Sequence, residues 1–213
     1  MCTAISYSAG NHYFGRNLDL DHCYQEAVTV TPRRFPFRFR EAKTIKEHPA
    51  MIGIATVVDD YPLYYDATNE HGLSMAGLSF AGNAVYYPTV DGKHNISPFE
   101  LIPWVLCQCK NVAQAKDLLS NTNVAAIPFS DAFSLTELHW IIADKQDCLV
   151  VESTAKGVCL YDDPFHVLTN TPPFEYHKQA DVIVTYVRFS VGGAAKAKEY
   201  AERKSKRIIN IAE

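Results

Sequence analysis

The stretch Cys2-Thr3-Ala4-Ile5-Ser6-Tyr7-Ser8-Ala9-Gly10-Asn11-His12-Tyr13-Phe14-Gly15-Arg16-Asn17-Leu18-Asp19 decides the fold. Its first half alternates and is rich in β-formers, Gly10-Asn11 is a turn pair, and residues 12–14 resume an extended pattern, which predicts a β-hairpin. The hairpin sets Cys2 at the start of one strand and Arg16 with Asp19 beyond the end of the next, so that the terminus and the charges meet in space. Only Met1 precedes Cys2. Once Met1 is clipped, Cys2 carries a thiol and a free α-amine on adjacent atoms, the amine with a reference pKa of about 7.7–8.0. One residue then supplies both nucleophile and base.

Outward from the hairpin, short strands are expected at residues 27–31, 51–58, 63–66 and 73–79, with Asn69-Glu70-His71-Gly72 as the turn before the last. The pattern then changes. Ser97-Pro98-Phe99-Glu100 places a cap residue, a proline at the first helical position and a glutamate at the third, which opens a helix towards Cys107; residues 111–119 read as a second. Strands return at 138–143, 148–152, 158–161 and 167–169. An apolar β-rich segment at 182–191, the break Gly192-Gly193 and a basic, alanine-rich helix candidate at 194–207 complete the chain. Strands, then helices, then strands give an α+β layered fold in a single domain spanning 1–213.

Twenty basic and twenty-four acidic residues leave a formal charge of −4, which offers no cationic field for nucleic acid or an anionic membrane. Arg16, Asp19 and Asp21 interrupt the region where a signal peptide needs an apolar run, and the longest such run, 49–58, is too short to span a bilayer, so a soluble, cytoplasmic protein is expected. The six cysteines, at 2, 23, 107, 109, 148 and 159, contain no Cys-x-x-Cys pair and no disulfide framework. Reduced thiols are expected, with a chemical role for Cys2 alone. No cofactor or metal is implied.

Six motifs, Met1-Cys2-Thr3-Ala4, Phe14-Gly15-Arg16-Asn17-Leu18-Asp19, Asp59-Asp60-Tyr61-Pro62, Asn69-Glu70-His71-Gly72-Leu73, Leu138-His139-Trp140 and Leu168-Thr169-Asn170, occur in an order and spacing that resemble the choloylglycine hydrolase family, from Cys2 to about Lys178. That family comprises the bile salt hydrolases and penicillin V acylases, and the bile salt hydrolase branch is the nearer resemblance. The resemblance implies the αββα sandwich of N-terminal-nucleophile hydrolases, incomplete in its C-terminal part, with residues 179–213 divergent or shortened. It also implies hydrolysis of glycine- or taurine-conjugated bile salts and a homotetramer. Penicillin V acylase activity and an inactive steroid-binding or assembly remnant are the alternatives.

The resemblance assigns roles residue by residue. Cys2 is the nucleophile, and Asp19 matches the aspartate that holds the terminal amine. Arg16 either holds the thiolate by its charge or forms an ordinary ion pair with Asp19 or Asp21. Asn170 matches an asparagine whose amide donates to the oxyanion, and otherwise is a turn residue before Thr171-Pro172-Pro173. Ser79 departs from the family, where asparagine or tyrosine is usual after Ala76-Gly77-Leu78; it keeps its backbone N–H as an oxyanion donor. Arg188, before Phe189, echoes a further family arginine. Leu18, Val58, Tyr65, Phe129 and Phe133 correspond to apolar substrate-lining positions and are equally suited to core packing. His139 and His71 read as structural, since a terminal amine makes a histidine base unnecessary.

Overall fold

The computed structural model describes residues 2–178. The expected strand at 182–191, the helix at 194–207 and Arg188 lie outside the described residues.

The N-terminal hairpin forms from β1 (Thr3–Ala9) and β2 (Asn11–Asn17), paired antiparallel from Thr3↔Asn17 to Ala9↔Asn11. Gly10 turns the chain at φ +76°, a conformation that costs a glycine little. Because so tight a turn lets all of β1 find a partner, Arg16 lies inside β2 opposite Ala4; only Asp19 follows the strand. This corrects the expected placement of Arg16 beyond the strand end. β12 (Val167–Thr169) pairs with the other edge of β1, Thr3↔Thr169 and Ala4↔Leu168, so the strand that begins beside Cys2 is the centre of a three-stranded sheet.

A second, seven-stranded antiparallel sheet is built from β3 (Ala27–Thr31), β4 (Met51–Val58), β5 (Tyr61–Asn69), β6 (Ser74–Ser79), β9 (Leu138–Ala143), β10 (Cys148–Thr154) and β11 (Gly157–Asp162). Its order is β11-β10-β9-β6-β5-β4-β3. Asp59-Asp60 joins β4 to β5 with both residues at positive φ, 51° and 59°, the geometry of the two-residue turn whose twist suits a hairpin. Two three-residue strands, β7 (His94–Ile96) and β8 (Thr122–Val124), pair in parallel apart from this sheet. Neither was expected, since each is three residues centred on an asparagine, a poor strand former. Between them a 3₁₀ turn at Pro98–Glu100 leads into α1 (Leu101–Gln108), and α2 (Val112–Ser120) follows. The Glu100 carboxylate accepts from Ser97 N at 3.1 Å, and Asn111 Oδ1 caps α2 by accepting from Gln114 N at 2.9 Å. A one-turn helix, α3 (Phe174–His177), follows β12.

Alternation along the central strands explains the layers. Met75, Trp140, Ile142, Leu149 and Val151 face one way and pack with Leu101, Val105 and Leu119 of the helices. Ala76, Leu78, Ile141, Ala143 and Val150 face the other way and pack with Cys2, Ala4 and Leu168 of the small sheet. Strands buried on both faces need consecutive apolar residues, hence Ile141-Ile142 and Leu149-Val150-Val151. Helices, large sheet and small sheet are thus the first three layers of the expected αββα sandwich. No helix among the described residues is long and apolar enough to cross a membrane.

The β4–β5 pairing slips between Ile54↔Asp66 and Ala55↔Tyr64, so that Tyr65 is an extra residue on β5, a β-bulge. Just below it Gly53 faces Ala67 so closely that a Cβ on Gly53 would stand 2.6 Å from Ala67 Cα and 2.8 Å from its Cβ. Backbone would have to move. Gly53→Ala is expected to destabilise the protein by about 2–3 kcal/mol, read as a lower urea midpoint at unchanged slope.

Candidate active site

The register of the small sheet sets the first row of the site. Directly paired residues on neighbouring antiparallel strands present their side chains on one face, so Leu168, Ala4 and Arg16 form a row on the face turned to the large sheet. The two registers end at Thr3↔Thr169 and Thr3↔Asn17, so Cys2, Asn170 and Leu18 follow directly beyond the paired residues. Cys2 and Asn170, distant in sequence, meet because β12 pairs beside β1.

The polar contacts agree with that register. Cys2 N donates to Asn170 Oδ1 at 3.3 Å, which fixes the acceptor end of the amide on the cysteine and leaves donation to its Nδ2. Cys2 Sγ lies 3.9 Å from the backbone oxygen of Asp19, a contact suited to a thiol S–H. The chain after β2 thus curls back over the sulfur, and Asp19 meets Cys2 through its carbonyl. Thr3 N donates to Asn17 Oδ1 at 2.7 Å, which pins the start of β1. The cysteine itself is buried, 6% exposed, at the end of the apolar inter-sheet cluster.

Arg16 reaches across to the large sheet. Its Nη1 donates to the carbonyls of Gly77 at 2.9 Å and Tyr65 at 3.2 Å, and its Nε to Asn17 O at 3.4 Å. Carbonyls, and not Asp19 or Asp21, hold the guanidinium among the described residues. Both main acceptors come from the fork where β5 and β6 part: pairing ends at Asp66↔Ala76, and the bulge turns Tyr65 out of the ladder. These hydrogen-bond partners are all neutral. Asp66 stands beside this fork: burial pushes its carboxyl above the usual range, while a hydrogen bond from Ile54 N and the charge of Arg16 pull it back.

Ser79 ends β6 opposite Leu138 and is exposed. Phe80 N donates to Glu137 O on the β9 side at 2.9 Å, so by the strand alternation Ser79 N–H points the other way, to the side of Gly77 O and Arg16. Its side chain shares the face of Gly77 and Met75, turned from the small sheet. Only the backbone of Ser79 is presented to the fork.

The five apolar positions separate into two groups. Leu18 directly follows Asn17, the partner of Thr3 in the hairpin, and Tyr65 touches Arg16 through its carbonyl while its phenol bonds Thr56 Oγ1 at 3.1 Å. Burial raises that phenol above its ordinary value. Phe129 and Phe133 instead meet each other at 6.0 Å, and Phe129 packs on Phe99 at 5.1 Å and Tyr61 at 6.0 Å. The Arg40 guanidinium covers the Phe129 ring at 5.3 Å, and Val58 pairs with Tyr61 at the hairpin end. Arg40 was not anticipated; a lone arginine in a loop gives no pattern to read.

Also missed were His139 and Glu152 as a pair. His139 Nε2 bonds Thr169 O at 2.8 Å and its Nδ1 lies 3.2 Å from Glu152 Oε1, which accepts Phe174 N at 2.9 Å. Their strands are adjacent and in register, Glu152↔His139, which sequence spacing cannot reveal.

Three of the other described thiols, Cys107, Cys109 and Cys148, are poor nucleophiles. Burial raises Cys107, and raises Cys109 to about 12 with the charge of Asp117 adding; burial and then Asp163 raise Cys148. Brief alkylation of the native protein near pH 8 is expected to modify exposed Cys23 and spare these three, as read by peptide mass mapping.

Comparison with known proteins places this geometry. A sequence profile described as linear amide C–N hydrolases, choloylglycine hydrolase family, matches residues 2–190. A bile salt hydrolase/transferase of Lactiplantibacillus plantarum is 50% identical over 176 residues, 83% of this chain and 54% of the relative. A conjugated bile acid hydrolase of Lactobacillus gasseri is 39% identical, covering 83% and 57%. The chain thus spans about half the length of the curated relatives it matches. Among solved structures, a variant of the conjugated bile acid hydrolase from Clostridium perfringens superposes with a TM-score of 0.80 at 34% identity, over 84% of this chain and 56% of that one. Penicillin V acylase from Agrobacterium tumefaciens shares the fold at 20% identity, with a TM-score of 0.65 over 96% and 66%. With the profile running from the buried cysteine through every strand of both sheets, the chain belongs to the choloylglycine hydrolase family of linear amide C–N hydrolases.

Proposed function

We propose that the protein hydrolyses the amide bond of glycine- or taurine-conjugated bile salts with Cys2 as an N-terminal nucleophile. The observation that carries this reading is the meeting of Cys2 with Asn170, at 3.3 Å, with the backbone oxygen of Asp19 3.9 Å from the sulfur. The relatives' substrates support the choice of amide.

The chemistry follows from these groups. With Met1 removed, the Cys2 nitrogen is a basic amine adjacent to its own thiol and takes the S–H proton as sulfur attacks the carbonyl carbon. Arg16, held by the Gly77 and Tyr65 carbonyls, sets a positive charge at the fork of the large sheet. The carbonyl oxygen becomes an oxyanion, for which Asn170 Nδ2 and the Ser79 N–H are the donors at hand. Collapse breaks the C–N bond, the ammonium passes its proton to the leaving nitrogen, and glycine or taurine departs from a Cys2 thioester. Water, deprotonated by the same amine, then cleaves the thioester to the free bile acid and restores the thiol. Leu18 and Tyr65 line the acyl side.

Intact-mass spectrometry of the purified chain, with and without a glycine-conjugated bile salt, tests this reading. The expected spectrum lacks Met1 and shows a transient adduct of acyl mass alongside free glycine in solution. A chain that keeps Met1, or releases no amine from either conjugate, would refute it; a parallel incubation with penicillin V separates the acylase alternative.

A further inference from the structure

We propose that His139 and Glu152 act together as positioning residues for Asn170, setting its amide against Cys2 and so serving the chemical step; this rests on the hydrolase reading above. Both side chains are fully buried on the inter-sheet face, where the neighbouring positions of their strands are Ile141, Ala143, Cys148 and Val150. A polar pair in an apolar row is costly unless its hydrogen bonds are met. The bonds the pair makes are spent on one segment, while Glu152 Oε2 is buried with no hydrogen-bond partner among the described residues. His139 Nε2 bonds the carbonyl of Thr169, the peptide unit whose nitrogen belongs to Asn170, at 2.8 Å; Glu152 Oε1 accepts Phe174 N at 2.9 Å, on the far side of Thr171-Pro172-Pro173. The loop carrying Asn170 is thereby tied at both ends to one pair, itself joined at 3.2 Å.

The pair is also held. Phe80 stacks on the His139 ring at 4.4 Å and 10°, so the imidazole has one plane in which to lie. A carbonyl only accepts, so the Nε2 that bonds Thr169 carries a proton, and the ring's other nitrogen faces the Glu152 carboxylate. The two contacts tie Glu152 to the ring, and the ring to Thr169. Small errors at such a support are felt where the amide must meet a developing oxyanion.

The test uses the full chain with leucine at both positions, which removes the hydrogen bonds without stranding a buried charge. His139→Leu/Glu152→Leu is expected to lower kcat about 10- to 100-fold while KM changes less than about threefold. In an Asn170→Ala background the same pair of substitutions should cost less than about twofold. Glu152→Gln, which keeps an acceptor for Phe174 N, should stay within about threefold of the parent and serves where the leucine pair fails to fold. The side-chain amide signals of ¹⁵N-asparagine-labelled protein give a readout independent of turnover. Asn170 should shift or broaden in the leucine pair, while buried Asn69, bonded to the Leu106 and Cys109 carbonyls, should not. An unchanged Asn170 signal, or an equal loss of kcat with and without the Asn170 side chain, overturns the positioning role. A parent chain without turnover, by contrast, strikes only the hydrolase reading.

Discussion

Cys2→Ala is expected to abolish amide cleavage, lowering kcat by at least about 10⁴-fold, because no other described thiol or hydroxyl stands beside an amine and an oxyanion donor together. Burial has raised Cys107, Cys109 and Cys148 out of nucleophilic range, so none can substitute. The fold should survive. Removing one sulfur from a side chain at the edge of the inter-sheet cluster leaves β1 paired on both sides, and a shift in thermal midpoint of a few degrees is the most such a deletion should bring. Amine release from a conjugated bile salt, measured beside circular dichroism of the same sample, checks both halves. Turnover surviving in Cys2→Ala would place the chemistry elsewhere.

The second large effect is expected at Asn170. Loss of one oxyanion donor typically costs about 10²–10³ in kcat, with substrate binding little changed, since the interaction strengthens only as charge develops on the oxygen. Asn170→Ala also frees the Cys2 nitrogen from its 3.3 Å contact, which argues for the upper part of that range. Asn170→Asp should be as damaging, because a carboxylate offers no donor and sets a negative charge beside the developing oxyanion. Steady-state kinetics resolve the outcome. A rise in KM at unchanged kcat would mean that Asn170 serves binding instead.

The hairpin, the two helices and eight further strands were legible because each carries a local signal: the Gly10-Asn11 turn, the cap at Ser97, the paired apolar residues of β9 and β10. The strands β7 and β8 were not, each being three residues centred on an asparagine, a poor strand former. In the site, Cys2 with Arg16, Asp19 and Asn170 could be named from motif order, yet their meeting depends on β12 adding beside β1, a pairing across some 165 residues that no local pattern encodes. The attachment of Arg16 shows the limit well. From sequence its acidic neighbours Asp19 and Asp21 were the natural alternative partners; the bulge at Tyr65 and the parting of β5 from β6 instead supply carbonyls, and bulges are set by packing. His139 and Glu152 share the same cause, as partners only in register.

Arg16 is rooted in one sheet and fastened to the other. Should the two sheets slide or part by an ångström or two with every strand still intact, the guanidinium would lose the Gly77 and Tyr65 carbonyls that fix it. On the proposed hydrolase reading, catalytic competence belongs to the docked pair of sheets and not to either alone. The first casualty of mild heat or denaturant would be the chemistry, with the strands themselves still in place.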